Sequence, residues 1–344
     1  MSKILDADFN YISSQSLPFS DLQGKTILIS GISGFIASYL TKLLLYLNDF
    51  YELEVNLIGV VRNEKRAKAS FGNLLRRKDF KLIIKDISAP LKLNKVDIII
   101  HAASISSPKY FKLYPIETLS PNVLGTMNLL KLAKDKKAEL LFISSGGVYG
   151  ETIGLTNETS YGYLDPLDSR SCYHEAKRMG ETICKAWFNQ YGVPIKIVRP
   201  FHVYGPGMNI HDGRAIADFI KDILKKRAIV LKSDGTTVRS FCYLADTIMG
   251  ILTVLLKGET GQAYNISNDE ARKSIREIAE LIVKLYSRLN LQIKYIVRDS
   301  KDTYLTSRVL DNNPDISKLR ALVWRPAFDL EEGFKRTIDS FIEK

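Results

Sequence analysis

The sequence predicts a doubly wound parallel α/β sheet carrying a smaller C-terminal substrate-binding lobe. Three observations lead there. Short apolar runs of buried-strand type alternate with helix-like patterns between residues 24 and 200. A glycine-rich turn, Gly31-Ile32-Ser33-Gly34, joins the first such run directly to a helical pattern. After the fifth run, Tyr173 and Lys177 stand four residues apart, which places a phenol and an ammonium on one helical face.

Residues 1–23 read as an irregular leader packed on the domain surface, and residues 24–200 as a dinucleotide-binding domain. Lys25–Ser30 is the first strand. It runs into Gly31, Ser33, Gly34, Phe35 and Ile36, whose backbone N–H groups form a cradle for a pyrophosphate at the positive end of the following helix. The second strand, residues 55–61, ends on Arg62 with no acid at its tip. A carboxylate there would hold the ribose hydroxyls of NAD(H). A guanidinium pairs instead with a 2′-phosphate, so NADP(H) is favoured over NAD(H).

The third strand, residues 80–85, ends in Asp86-Ile87, placed to touch adenine. The fourth, residues 96–100, ends in His101-Ala102-Ala103-Ser104, small enough for the backbone to lie against a dinucleotide, with His101 read as a core histidine. Residues 115–137 form one long amphipathic helix containing Asn122. The fifth strand, residues 140–143, closes on Ser144-Ser145-Gly146-Gly147, and the sixth, residues 195–200, ends at Pro200. Beyond it, residues 201–344 form mainly the second lobe, with some segments returning to the sheet domain. Helices are expected over 214–226, 247–256 and 275–289, and a short strand over 228–231.

Ligands of such sheets bind at the carboxyl ends of the strands, where Ser145 and the start of the Tyr173 helix lie. A tyrosine loses its proton near pH ~10, and a nearby positive charge favours the phenolate. Only Tyr173 among the 17 tyrosines has a lysine four residues on. The pair can therefore exchange a proton with an alcohol or ketone while Ser145 hydrogen-bonds the same oxygen.

Composition bounds the alternatives. A chain of 344 residues with 45% hydrophobic and 25% charged residues is ordinary for a globular protein. The formal charge of +11 is scattered and comes with no nucleic-acid motif, so it reads as a solvated basic surface, and no nucleic-acid partner is expected. Three cysteines at no metal-ligand spacing, no long apolar run and no signal-peptide order at Met1 point to a cytoplasmic protein without metal or membrane anchor.

Taken together, Gly31-x-x-Gly34-Phe35-Ile36, Asp86-Ile87, His101-Ala102-Ala103-Ser104, Asn122-Val-x-Gly125-Thr126, Ser144-Ser145-x-x-Val148-Tyr149-Gly150 and Tyr173-x-x-x-Lys177 resemble the extended short-chain dehydrogenase/reductase family. Arg199-Pro200-x-x-Val203-Tyr204-Gly205-Pro206, Arg239-x-Phe241-x-Tyr243-x-x-Asp246 and Trp324-x-Pro326 extend the likeness over about residues 24–340, in the nucleotide-sugar branch. Locally, Ser106-Ser107-Pro108 and Arg170-Ser-Cys172-Tyr173 resemble UDP-glucuronate decarboxylases, and the Ser145 region resembles dTDP-glucose 4,6-dehydratases.

The resemblance implies a Rossmann fold with Ser145, Tyr173 and Lys177 as a catalytic triad and Lys177 also on the nicotinamide ribose. It implies that Asn122, Pro200 and Val203 lie along the dinucleotide, and that Ser106, Gly146 and His202 lie near the substrate. Arg239, and Arg308 as a second candidate, would grip a sugar nucleotide's diphosphate. It also implies a homodimer through the helices at 115–137 and 173–191, and a nucleotide-sugar route to surface polysaccharide such as lipopolysaccharide O-antigen.

One departure shapes the expected reaction. Gly147 stands where relatives carry a glutamate, so it neither donates nor accepts a proton. The expectation is a reductase that delivers hydride from NAD(P)H to C4 of a nucleotide-linked 4-keto-6-deoxyhexose, with Tyr173 as proton donor. A 4-epimerase with tightly bound NAD, a UDP-glucuronate decarboxylase-like enzyme and a dinucleotide-binding sensor or scaffold remain alternatives.

Overall fold

The computed structural model describes residues 2–296 and 309–343. Its first element corrects the expectation of an irregular leader. Lys3–Ser13 is a helix, α1, capped by the Ser2 hydroxyl, with Phe9 and Ile12 fully buried. Asp8 is buried on the same helix. It accepts hydrogen bonds from Tyr39 (3.0 Å) and Tyr243 (2.8 Å) and pairs with Arg336 at 2.7 Å. The N-terminus is thus part of the core, because a buried carboxylate is stable only where donors surround it.

The sheet domain follows in chain order as β1 (Thr26–Ser30), α2 (Phe35–Tyr51), β2 (Asn56–Val61), α3 (Glu64–Phe71), β3 (Phe80–Ile84) and β4 (Ile98–His101). Then come α4 (Pro108–Phe111), α5 (Pro115–Ser120), α6 (Thr126–Lys136), β5 (Glu139–Ile143), α7 (Ser171–Tyr191) and β6 (Ile195–Pro200). The single helix expected over 115–137 is in fact α5 and α6 joined by a π-helical stretch, Pro121–Gly125. Proline lacks the N–H that a regular turn would use there.

The second lobe and its returns are β7 (Val203–Tyr204), α8 (Ala215–Leu224), β8 (Ile229–Leu231), β9 (Val238–Ser240), β10 (Cys242–Tyr243), α9 (Leu244–Lys257) and β11 (Ala263–Ile266). The chain continues with β12 (Arg272–Ser274), α10 (Ile275–Leu285), β13 (Ile293–Tyr295), α11 (Ser317–Arg320) and α12 (Leu330–Ile342).

Seven strands form one parallel sheet in the order β11-β6-β5-β4-β1-β2-β3. β11 was not anticipated as a strand. It pairs with β6 in register Ala263↔Ile197 to Ile266↔Pro200, bringing the chain back to the sheet after its excursion into the lobe. The strand order reverses between β1 and β4, which opens a crevice at their carboxyl ends. β1 is buried along its whole length, as a central parallel strand must be. The lobe is built on three two-stranded pairings, β10-β7, β12-β9 and β13-β8, and stands over that crevice. No helix among the described residues is long and apolar enough to cross a membrane.

Candidate active site

A cleft of about 520 Å³ lies between the strand ends and the lobe, within the range typical of ligand sites. At the end of β1 the chain turns through Gly31 at φ +71°, and a Cβ there would come within 2.7 Å of the Ala103 Cα. Only glycine permits that approach of two strand ends. Gly34 begins α2 without a side-chain cap, and Gly34, Phe35 and Ile36 line the cleft. The open N–H groups of that first turn fit a dinucleotide pyrophosphate.

The β4 end is held by a relay. The Ser30 hydroxyl accepts from the N–H groups of Ala102 and Ala103, at 3.1 Å each, and donates to His101 Nδ1 at 2.7 Å. His101 Nε2 then donates to the Pro121 carbonyl at 3.0 Å. Burial, with Lys177 nearby, pushes this imidazole down to about 3, so it stays neutral. This is the core role read for His101.

Ala102, Ser104, Pro200 and Val203 line the cleft, while Gly31, Ser33, Ala103 and Asn122 do not. Asn122 is fully buried and reaches the site through Ser104, to whose hydroxyl it donates at 3.0 Å. Ile87 is buried against Gly125, so its side chain packs into the core. Arg62 is not an isolated cation at the β2 tip. It pairs with Asp86 at 3.7 Å, and both are about half exposed.

The reacting end is built from the β5 turn and α7. The Ser145 hydroxyl caps the turn Gly146–Tyr149 by accepting from the Gly147 N–H at 3.1 Å. Glu181 secures the segment beneath, accepting from the Ser144 hydroxyl at 2.5 Å and from Arg199 Nε at 2.9 Å. Arg199 in turn donates to the Tyr149 hydroxyl at 2.7 Å. Tyr173 is buried with its ring stacked on Phe111, centroids 4.9 Å apart.

Burial raises the Tyr173 phenol, against which a hydrogen bond with Ser145 and the charge of Arg214 lower it. Lys177 Nζ lies 6.0 Å from the centroid of the Tyr173 ring. Lys177 Nζ donates to the Ile143 carbonyl at 2.7 Å, and burial brings the ammonium down to about 7, so its own charge is costly there.

Opposite, the lobe contributes cations and amides. Arg239 lines the cleft with its guanidinium held by the Val238 and Val309 carbonyls, at 2.8 Å each. His202 sits at φ +35° with Nε2 2.8 Å from Asn312 Oδ1. Burial, then Arg239, pushes it down to about 3, so it is neutral beside that guanidinium. Ser106 also lines the cleft, whereas Arg308 lies outside the described residues.

Among the lining residues that sequence reasoning missed, Arg214 and His174 bear on the chemistry. Arg214, held by Asp212 at 2.7 Å (Nε), begins α8 at the cleft wall. The turn Asp212-Gly213-Arg214 before an apolar helix was the available signal. His174 lies against Gly147, whose hypothetical Cβ would be 2.4 Å from His174 Cδ2 and 2.9 Å from Nε2. A Cβ on Gly146 would likewise meet the Phe201 ring at 2.5 Å.

Residues 27–267 match the model of the NAD dependent epimerase/dehydratase family. UDP-glucuronic acid decarboxylase 3 of Arabidopsis thaliana is 36% identical over 318 residues, covering 92% of this chain and 88% of that protein. UDP-glucuronic acid decarboxylase 1 of Danio rerio is 34% identical over 326 residues, covering 94% and 74%. Among solved structures, an epimerase from Methanothermobacter thermautotrophicus superposes with a TM-score of 0.78 at 22% identity, covering 94% of each chain. UDP-glucuronic acid 4-epimerase from Bacillus cereus, in complex with NAD, superposes with a TM-score of 0.75 at 26% identity, covering 92% of this chain and 96% of that one. With its glycine cradle, its tyrosine–lysine helix and a family match running from β1 to the end of β11, the chain belongs to the NAD dependent epimerase/dehydratase family, in the nucleotide-sugar branch of the extended short-chain dehydrogenases.

Proposed function

We propose that the protein is a decarboxylase of a nucleotide-linked uronic acid of the UDP-glucuronic acid type, working with NAD. The observation that carries this reading is Arg214. Its guanidinium stands in the cleft wall near enough to Tyr173 to bias the phenol, where a sugar carboxylate next to the reacting carbon would need a cation. Similarity to UDP-glucuronic acid decarboxylases across more than nine-tenths of the chain supports it.

The cradle at Gly34–Ile36 and the strand ends at Ala102 and Ser104 would hold the dinucleotide, which when bound supplies reversible hydride transfer at C4. Tyr173 takes the proton of the C4 hydroxyl as the ketone forms and returns it when the ketone is reduced. Ser145 hydrogen-bonds the same oxygen. Arg239 and the lobe hold the diphosphate. With C4 a ketone, the C5–C6 bond breaks and its electrons pass into the carbonyl, releasing CO2, and C5 then takes up a proton. Bond cleavage in such a β-keto acid needs no side-chain acid at position 147, so Gly147 is compatible with it. The Arg62–Asp86 pairing offsets the cation that would greet a 2′-phosphate, which favours NAD over NADP.

A second reading, reduction of a nucleotide-linked 4-keto-6-deoxyhexose, is favoured by the same Gly147, since that reaction needs only Ser145, Tyr173 and a reduced dinucleotide. The exposed Ile116, Leu124, Met127 and Met179 on α5, the π-helical stretch, α6 and α7 support a homodimer through these helices. The test is incubation with UDP-glucuronic acid and NAD, followed by mass spectrometry. A UDP-sugar lighter by one CO2, with no net reduction of NAD, is the expected product. Unchanged UDP-glucuronic acid, together with stoichiometric NAD(P)H consumption on a 4-keto-6-deoxyhexose nucleotide, would overturn the decarboxylase in favour of the reductase.

A further inference from the structure

Position 147 has no side chain, and the space one would take is filled from another element. The imidazole of His174, the residue after Tyr173 on α7, lies over Gly147: a Cβ built there would meet Cδ2 at 2.4 Å and Nε2 at 2.9 Å, with the Ser145 hydroxyl at 3.4 Å. A side chain at 147 would have to push this imidazole aside, so in the present packing the ring takes the place that such a side chain would hold.

The ring is held edge-on to Tyr173 and Phe111, with centroids 5.4 Å and 6.3 Å away. Its Nδ1 lies 3.1 Å from the Arg170 carbonyl. A carbonyl only accepts, so Nδ1 carries the proton and Nε2 keeps its lone pair. Burial, and then Arg170, push the imidazole down to about 4, so this neutral form persists at neutral pH. Nε2 has no hydrogen-bond partner among the described residues, and His174 lines the cleft.

We propose that His174 is a substrate-contacting residue whose Nε2 accepts a hydrogen bond from a hydroxyl of the bound sugar, beside Ser145 and in the place of a side chain at 147. A neutral acceptor suits a sugar that also bears a carboxylate, since it recognises a hydroxyl without repelling the anion. The inference rests on the reading that the cleft takes a nucleotide sugar, but not on which reaction follows.

The test is calorimetric titration of the full chain with UDP-glucuronic acid, UDP-glucose and dTDP-glucose, each against its own nucleoside diphosphate. His174→Phe keeps the ring volume and loses the acceptor, and His174→Gln restores a polar group at the same reach. The expected result is an affinity for the best-bound sugar nucleotide reduced roughly tenfold by His174→Phe, with UDP or dTDP affinity unchanged and His174→Gln recovering most of the loss. Equal losses for the sugar nucleotide and the bare nucleotide would mark His174 as merely structural and overturn the inference. So would no loss at all. Failure of the wild-type protein to bind any of the three sugar nucleotides would overturn the underlying reading along with it, a distinct outcome.

Discussion

Replacing Lys177 by methionine should stabilise the dinucleotide-free protein, and by an amount that depends on pH. The ammonium is buried against the Phe142 ring at 4.8 Å and donates to the Ile143 carbonyl. Burial brings it down from 10.5 to about 7. The unfolded chain therefore holds this proton up to about pH 10.5 and the folded chain only to about 7. Between those limits the unfolded state binds more protons, so wild-type stability rises with pH. Methionine removes that dependence.

At pH 6 nearly the whole shift acts, on the order of 5 kcal/mol. At pH 9 about 2 kcal/mol remains, because by then the unfolded lysine is within two units of neutrality. Losing the hydrogen bond to Ile143 costs roughly 1–3 kcal/mol at either pH and cancels in the comparison. The advantage of Lys177→Met over wild type should thus fall by about 2–3 kcal/mol from pH 6 to pH 9. Urea unfolding of both proteins at the two pH values measures it. A pH-independent difference would refute the depressed lysine.

Three further outcomes are expected. Tyr173→Phe should reduce turnover by roughly 10²–10⁴ while dinucleotide affinity, measured by fluorescence titration, stays within about twofold. Asp8→Ala should destabilise the fold by about 2–4 kcal/mol, because it leaves the Tyr39 and Tyr243 hydroxyls without their acceptor and takes one of two carboxylates from Arg336, which keeps Glu332; a chemical denaturation midpoint equal to wild type would show that α1 is dispensable. Met127→Asp should convert a dimer to monomer in light scattering, since it places a charge in the exposed apolar stripe of α5, α6 and α7, and a monomeric wild type would refute that interface.

Six of the seven sheet strands were legible because parallel central strands are apolar along their whole length and the turns after them carry glycine or small residues. The Gly31 cradle, Ser145 and the Tyr173–Lys177 spacing were legible for the same reason, since their geometry is local to one turn or one helix. β11 was not, since its four residues become a strand only by pairing with β6. α1 was not, because Asp8 breaks its apolar pattern and is satisfied only by Tyr39, Tyr243 and Arg336, all distant in the chain.

The sequence by itself determined the doubly wound sheet, the strand ends on which a dinucleotide fits and the tyrosine–lysine helix face proposed to move the proton, for these follow from periodicity and short-range spacing. Tertiary structure alone decided the electrostatics. Burial pushes the Lys177 ammonium down to about 7, Arg214 comes near enough to Tyr173 to lower its phenol, and the packing of α7 on the β5 turn put His174 where Gly147 leaves room. Desolvation and contact depend on what the rest of the chain brings alongside, and no local pattern records that.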